Sequence, residues 1–187
     1  MIETEPTDVV VDPVFGTRYR FWRASDPAGG IQHVEMWVAP GGGVPAHVHP
    51  AMEERFTVRS GRLELLSGRT WSAAGPGESV LVAAGTRHAF RNRGAEEAHA
   101  VCAATPASSL QAFLEAAAGL SRAGLITAAG LPKPRGLLHA AVLAHAHRHM
   151  VTLLFPAPPA PVQRVLWPPL ARLGARRGLR ADAFARL

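Results

Sequence analysis

The sequence predicts a mainly β domain followed by a C-terminal helical extension. Over residues 9–104, short runs of β-type residues such as residues 34–39 are separated by Gly, Pro and Asp. This spacing is typical of an all-β sandwich or barrel. After Thr105 the pattern changes, because apolar residues now recur at helical spacing. The helical set is Leu110, Phe113, Leu114 and Ala117.

The boundary between the two parts is expected near Pro106. We predict a β-barrel with an N-terminal strand arm over residues 1–106, and a helical extension over residues 107–187 that packs on the barrel or on a partner subunit. Residues 137–155 are apolar enough to test as a membrane span. Four histidines and one arginine inside them argue against a span. Residues 162–187 predict a basic amphipathic helix that is interrupted at Pro168 and Pro169.

Charge is divided unevenly along the chain. Residues 1–98 hold 10 Arg and 12 acidic residues (net −2), whereas residues 99–187 hold 10 Lys or Arg and 2 acidic residues (net +8). A basic segment can contact nucleic acid, anionic lipid or an acidic partner. No nucleic-acid-reading motif accompanies it, and aromatic residues for base stacking are few. We therefore expect no nucleic-acid partner and a homodimer, with contact of the tail to a membrane surface as the lesser alternative.

Cysteine use and the N-terminal residues bear on the compartment. Cys102 is the single cysteine, so no intrachain disulfide is possible and a reducing, cytoplasmic location is expected. Residues 1–12 are acidic and polar, which is not the pattern of a secretory signal peptide.

Three histidines and one glutamate form a spaced set of candidate metal ligands. His47 and His49 are two residues apart, so on a strand both side chains point to one face. Glu54 joins them after an irregular stretch through Pro50, and His88 comes from a second segment. Imidazole and carboxylate ligands suit iron, manganese, nickel, copper or zinc better than magnesium or calcium. The sequence therefore predicts one divalent transition metal, of undetermined identity, bound by these four side chains.

The spacing resembles the two motifs of the cupin family. The first motif, G-x5-H-x-H-x3/4-E-x6-G, is matched in full from Gly41 to Gly61. The second, G-x5-P-x-G-x2-H-x3-N, is matched from Gly77 to Asn92, except that Ala83 stands where proline is usual. This resemblance implies a cupin jelly-roll β-barrel followed by the C-terminal helical extension.

Glu54 is favoured over the adjacent Glu53 as the fourth ligand, because only Glu54 leaves six residues before Gly61. Three neutral imidazoles and one carboxylate would give a divalent metal complex a net charge of +1. That charge attracts anionic oxygen ligands. Glu54 is also the candidate catalytic base, provided that it can loosen from the metal.

Alternation along strands predicts the substrate pocket. Phe56 and Val58 share a face with Glu54, and Phe90 shares a face with His88. If the ligands point into the barrel, these three side chains line the same cavity. Met36 is a weaker candidate for that wall.

The cupin resemblance implies a site more firmly than a reaction, because one fold hosts several chemistries. The leading hypothesis is a metal-dependent oxidoreductase of dioxygenase type, resembling small quercetinase-like cupins and acting on a small oxygenated or aromatic metabolite. One alternative is a metal-dependent isomerase, cyclase or lyase that does not use dioxygen. The other is a small-molecule-binding cupin without enzymatic activity.

Overall fold

The computed structural model describes residues 7–22, 30–154 and 157–187, and it confirms the mainly β fold followed by C-terminal helices. All strand pairs are antiparallel. Numbered in chain order, the strands of the first sheet lie in the spatial order β1 (Val10–Asp12), β2 (Thr17–Trp22), β3 (Gln32–Val38), β10 (Ala98–Thr105), β5 (Glu53–Ser60) and β8 (Ser79–Val82). The order in the second sheet is β11 (Thr152–Leu153), β4 (Gly43–Val48), β9 (His88–Arg91), β6 (Leu63–Ser67) and β7 (Thr70–Ala74).

Alternation of buried and exposed residues explains how the two sheets share one core. In β3, Val34, Met36 and Val38 are buried while His33 faces solvent. Side chains of a strand alternate between its two faces, so such a strand covers a core with one face only. The central hydrophobic cluster accordingly draws buried residues from both sheets, including Phe21, Val58, Leu63, Leu65 and Phe90.

The last glycine of the first motif has a structural reason. Gly61 lies in the turn between β5 and β6 with a φ of +71°. A Cβ at this position would lie 2.6 Å from the carbonyl oxygen of Glu97. Glycine is therefore required both for the backbone conformation and for the close approach of the neighbouring chain.

Three helices follow the barrel: α1 (Leu110–Arg122), α2 (Leu137–Ala146) and α3 (Ala160–Arg176). Short 3-10 helices occur at Pro134–Gly136 and Ala181–Arg186. Leu110 is buried in the barrel core, and Phe113 and Leu114 pack against that core. The rest of the extension encloses a second cluster of its own, in which Leu120, Leu143 and Phe184 are buried. The extension thus packs partly on its own barrel and partly on itself.

The apolar segment 137–155 is not a single helix. Helix α2 ends at Ala146, and the chain then enters β11, which pairs with β4 at the edge of the second sheet. The guanidinium of Arg148 donates to the carbonyl oxygen of His145 at the end of the helix. Val151 and Thr152 are β-branched and favour a strand. Phe155, at the end of this segment, lies outside the described residues, as do residues 1–6 of the predicted arm.

The predicted interruption at Pro168 and Pro169 is wrong, because α3 continues through both residues to Arg176. A proline inside a helix removes the hydrogen bond to the carbonyl oxygen four residues earlier. Here those carbonyls belong to Arg164 and Val165, which are both exposed, so water can replace the lost donors.

The surface of α3 also carries exposed apolar side chains. They are Val162, Val165, Leu166 and Leu173. The homodimer and the alternative of a membrane-surface contact both stay predictions. Among the residues that the structure describes, no helix has the length and apolar character needed to cross a bilayer.

Candidate metal centre

The structure brings the four predicted ligands together. His47 lies in β4, His49 follows the end of that strand, Glu54 lies in β5 and His88 begins β9. Each side chain contributes one ligand atom, and these atoms all lie within 4.8 Å of one another. Metal–ligand bonds of this type are about 2.0–2.2 Å long, so opposite ligands in a loaded site lie roughly 4 Å apart. Small side-chain movements are therefore enough to close the four ligands on one ion.

Backbone carbonyls fix the orientation of all three imidazoles. Nδ1 of His47 lies 2.9 Å from the carbonyl oxygen of Pro45. Nδ1 of His88 lies 2.8 Å from that of Thr86. Since a carbonyl oxygen only accepts, each Nδ1 carries the proton and donates it, which leaves a lone pair on Nε2 in the neutral ring. Histidine ligands of metal ions are commonly oriented in this way.

The third imidazole is oriented by the C-terminal extension. Nδ1 of His49 donates to the carbonyl oxygen of Met150 at a distance of 2.8 Å. Met150 immediately precedes the segment that enters β11, 101 residues further along the chain than His49. No local sequence signal marks this contact. It makes the extension a part of the candidate metal centre.

Two buried polar atoms that lack a hydrogen-bond partner indicate whether the site suits a cation. Nε2 of His88 lies 2.8 Å from Oε2 of Glu54, but the two groups are not aligned as a hydrogen bond. Among the described residues neither atom has another hydrogen-bond partner, and both are buried. Buried polar groups without a partner are costly, and an ion between the two atoms would satisfy both. The residues present therefore fit a divalent transition metal.

Electrostatics within the cluster also suit a metal site. Burial, together with the neighbouring imidazoles of His88 and His49, lowers the pKa of His47 to about 3. Burial also lowers the pKa of His49, against the opposing effect of Glu54. Burial opposes ionisation of Glu54, but His88 and the other imidazoles outweigh it and lower the pKa of Glu54. Burial opposes protonation of His88, but the Glu54 carboxylate outweighs it and raises the pKa of His88. At neutral pH the site thus offers neutral imidazoles at His47 and His49 and an ionised carboxylate at Glu54, whereas a metal at His88 competes with a proton.

One cavity of about 740 Å³ extends from the ligand cluster to the C-terminal helices. Met36, Phe56 and Phe90 line it, and their role as a substrate pocket stays a prediction. Val58 is fully buried in the barrel core and is not part of the lining. Alternation places Val58 on the same face as Glu54, but its side chain is enclosed by the barrel core and does not border the cavity.

Several further barrel residues line the cavity without having been predicted, and two of them lie on central strands. Tyr19 in β2 and Cys102 in β10 are both buried. The Sγ of Cys102 lies 3.7 Å from Oε1 of Glu54, which makes the thiol a weak donor to a metal-ligand candidate. Register explains this contact, because Cys102 pairs with Phe56 across β10 and β5. Pairing between strands that are distant in sequence could not be read from local spacing.

We expect Cys102 to be unreactive in the folded protein. Burial and the nearby Glu54 carboxylate raise the pKa of the Cys102 thiol well above its ordinary value. Because the thiolate is the nucleophile, alkylation by iodoacetamide at pH 8 should be at least about tenfold slower in the native state than in 6 M guanidinium. Mass spectrometry of timed samples measures both rates. Equal rates would contradict the placement of this side chain.

Residues 34–104 match the family model described as "Cupin domain". These residues form a cupin domain. The match contains all four candidate ligands of the cupin site, whereas the helical extension lies outside it. No curated protein sequence matches the chain.

Several solved structures are similar to part of this chain. The Cupin_2 domain of an XRE family transcriptional regulator from Enterobacter cloacae is 22% identical, with a TM-score of 0.43, and the match covers 48% of this chain and 96% of that one. A cupin-2 domain from Rhodospirillum rubrum is 21% identical over 49% of this chain and 60% of that one, with a TM-score of 0.42. An oxalate oxidase in complex with the substrate analogue glycolate is 23% identical over 49% of this chain and 51% of that one, with a TM-score of 0.44.

Proposed function

We propose that this protein is a metal-dependent cupin enzyme, an oxidoreductase of dioxygenase type that acts on an oxygenated or aromatic metabolite. The observation that supports the proposal is a complete His47, His49, Glu54 and His88 cluster at one end of a large cavity with mainly apolar walls. Four protein ligands leave coordination positions open on a five- or six-coordinate metal. A pocket of this size that combines apolar walls with a few converging polar groups is the usual form of a small-molecule site.

A bound transition metal would supply Lewis-acid chemistry and, if redox-active, electron transfer to dioxygen. The protein's own residues hold and orient the substrate. Phe56 and Phe90 have ring centroids 6.0 Å apart and together form an aromatic wall beside the ligands. Such a wall binds a ring or another flat apolar group through burial of its surface and through aromatic contacts.

Glu54 is the proposed proton acceptor. Its two oxygens differ, because Oε1 lies near the Cys102 thiol whereas Oε2 faces the imidazoles of His49 and His88. The carboxylate is ionised at neutral pH, as a base must be, since the imidazoles lower its pKa. Glu54→Gln is nearly isosteric and removes the basic oxygen. Under this proposal it loses turnover by two orders of magnitude or more.

Oxygen consumption tests the proposed reaction class. The protein is loaded separately with iron, manganese, nickel, copper or zinc and is then mixed with a panel of enolisable aromatic compounds. We expect it to consume dioxygen with at least one of the redox-active metals. Purification without chelator, followed by elemental analysis, identifies the metal retained from the cell. Zinc-loaded protein is the matched control, because zinc has no redox chemistry. Substrate turnover at an equal rate without dioxygen would favour the isomerase, cyclase or lyase alternative.

A further inference from the structure

The cavity above the candidate metal centre is enclosed by the C-terminal extension as well as by the barrel. Phe113 and Leu114 of α1, Leu143 of α2 and Trp167 of α3 all contribute to its lining. These residues come from a part of the chain that lies outside the cupin match. The shape and size of the ligand are therefore set largely by the extension.

The volume and the walls of the cavity restrict the class of ligand. Pockets of about 300–1,000 Å³ bind molecules of drug size and bury most of their surface. At about 740 Å³, this cavity is larger than a two- or three-carbon acid would fill. Most of its wall is aliphatic and aromatic. A polar ligand large enough to fill the cavity would therefore lose its hydrogen bonds to water without gaining equivalent ones from the protein. The ligand body must be large and mainly apolar.

Two arginines add a charge preference to this apolar cavity. Arg148, after α2, and Arg164, in α3, are exposed residues that also line the cavity. Within the described ranges neither side chain forms an ion pair. One guanidinium nitrogen of Arg148 donates to the carbonyl oxygen of His145 at 2.8 Å, which orients the group and leaves its other donors free.

The acidic residues of the lining do not neutralise these arginines. They are Glu54, which belongs to the ligand cluster, and Asp12, which is buried. Oδ1 of Asp12 accepts hydrogen bonds from the backbone amides of Val14 and Phe15. Neither carboxyl group pairs with Arg148 or Arg164 in the structure. The exposed part of the cavity wall is therefore cationic.

We propose that the cavity binds an amphipathic acid, a molecule with a large apolar body and an acidic group. The body packs between the barrel and the extension, and Arg148 and Arg164 bind the acidic group where the cavity meets solvent. This proposal specifies the substrate class of the function proposed above and rests on it only for the identification of ligand with substrate. Binding itself requires no metal.

A matched pair of fluorescent probes tests the proposal on the full chain. 8-Anilinonaphthalene-1-sulfonate and N-phenyl-1-naphthylamine share one aromatic skeleton, but only the first is an anion. We expect the metal-free protein to bind one molecule of either probe per chain, and the sulfonate more tightly. The double variant Arg148→Gln/Arg164→Gln should weaken binding of the sulfonate by about tenfold and leave the uncharged probe unchanged, because charge-assisted hydrogen bonds are lost.

Two controls exclude non-specific binding. Arg176→Gln/Arg177→Gln removes the same charge from exposed residues that do not line the cavity, so it should leave both probes unaffected. Ala144→Trp in α2 fills the cavity and should abolish binding of both probes while circular dichroism remains native. Binding of both probes by a folded Ala144→Trp variant, or equal loss of sulfonate affinity in the two arginine pairs, would overturn the proposal.

The measurement separates this proposal from the proposed function. Wild-type protein stripped of metal with a chelator should still bind both probes, because neither the arginines nor the apolar wall depends on a metal. Probe binding without any oxygen consumption would uphold the ligand class and reject the reaction class. Oxygen consumption with small uncharged compounds, together with no preference for the anionic probe, would uphold the reaction class and reject the ligand class.

Discussion

The variant His47→Ala/His49→Ala is expected to lose stoichiometric metal while keeping a folded barrel. Two of the four ligands disappear, including the imidazole of His49, which is almost completely buried. Changes in the groups that merely orient a ligand already cost about 10- to 100-fold in metal affinity, so removing two ligands should cost more. Elemental analysis of protein purified without chelator, and calorimetric titration with Zn²⁺, measure the loss.

A matched control removes two histidines elsewhere in the barrel. His33 is exposed on β3, and His99 on β10 pairs with Glu35 and stacks on Trp37. The variant His33→Ala/His99→Ala should therefore keep full metal content. Retention of one equivalent of metal by His47→Ala/His49→Ala would show that the proposed centre is wrong.

The variant His47→Ala/His49→Ala should also unfold at a somewhat lower temperature than the wild-type protein. Removing His49 leaves the carbonyl oxygen of Met150 without its donor, and a buried unsatisfied group costs about 1–3 kcal/mol. The cost is well below the 5–15 kcal/mol that stabilise an ordinary domain, so the fold should persist. Thermal unfolding followed by circular dichroism checks this expectation.

The strands and the ligand register were predictable because both depend on short-range periodicity. His47 and His49 are two residues apart, and the strand period of two brings such side chains to one side. The pattern of buried residues in β3 follows the same rule. Positions with a special backbone, such as Gly61, mark the turns. Each of these features can be read within a window of a few residues.

Features that depend on long-range packing could not be predicted. Cys102 meets Glu54 because β10 pairs with β5, and Met150 meets His49 because the extension returns to the barrel as β11. Val58 shows the limit of periodicity in another way. Val58 is buried, as Glu54 is, but a period of two does not say which buried side chains border the cavity. Which residues face each other across strands, and which of them border the cavity, are decided only when the two sheets assemble.

Helix boundaries in the extension show the same limit. The interruption expected at Pro168 assumes that a lost hydrogen bond ends a helix, which holds when the freed carbonyl is buried. In α3 that carbonyl belongs to the exposed Arg164. Solvent exposure is decided by how α3 packs on α2, and the sequence alone does not contain that arrangement.

Truncation after Thr105 is expected to make the protein aggregate or change its oligomeric state. The extension contributes Leu110, Met150 and Val151 to the barrel core, and each buried side chain of this kind contributes about 1.5–3 kcal/mol. Their combined loss is comparable to the whole stability of a typical domain. The exposed surface that remains would be large and apolar, which favours association. Size-exclusion chromatography with light scattering compares the truncated and full-length chains.

A point variant tests whether the extension supports both the barrel and the metal centre, without removing the extension. Nε2 of Gln163 in α3 donates to the carbonyl oxygens of Leu153 and Pro158, both at 2.6 Å, and so holds β11 in place. Gln163→Leu has nearly the same volume and leaves both acceptors without this donor. We expect a loss of about 1–3 kcal/mol in the free energy of unfolding. We also expect weaker metal binding, because β11 holds the Met150 carbonyl against His49.

Gln111→Leu is the matched control, since among the described residues the side chain of Gln111 in α1 bonds only to the neighbouring Glu115 on the same helix. It should change neither metal affinity nor stability by more than about 0.5 kcal/mol. Two results would show that the extension is a separate appendage. One is a truncated barrel that stays monomeric and equally stable; the other is a Gln163→Leu variant with unchanged metal affinity. In the structure the extension instead supplies an edge strand, core side chains and the acceptor that orients one metal ligand, so stability and metal binding should fall together.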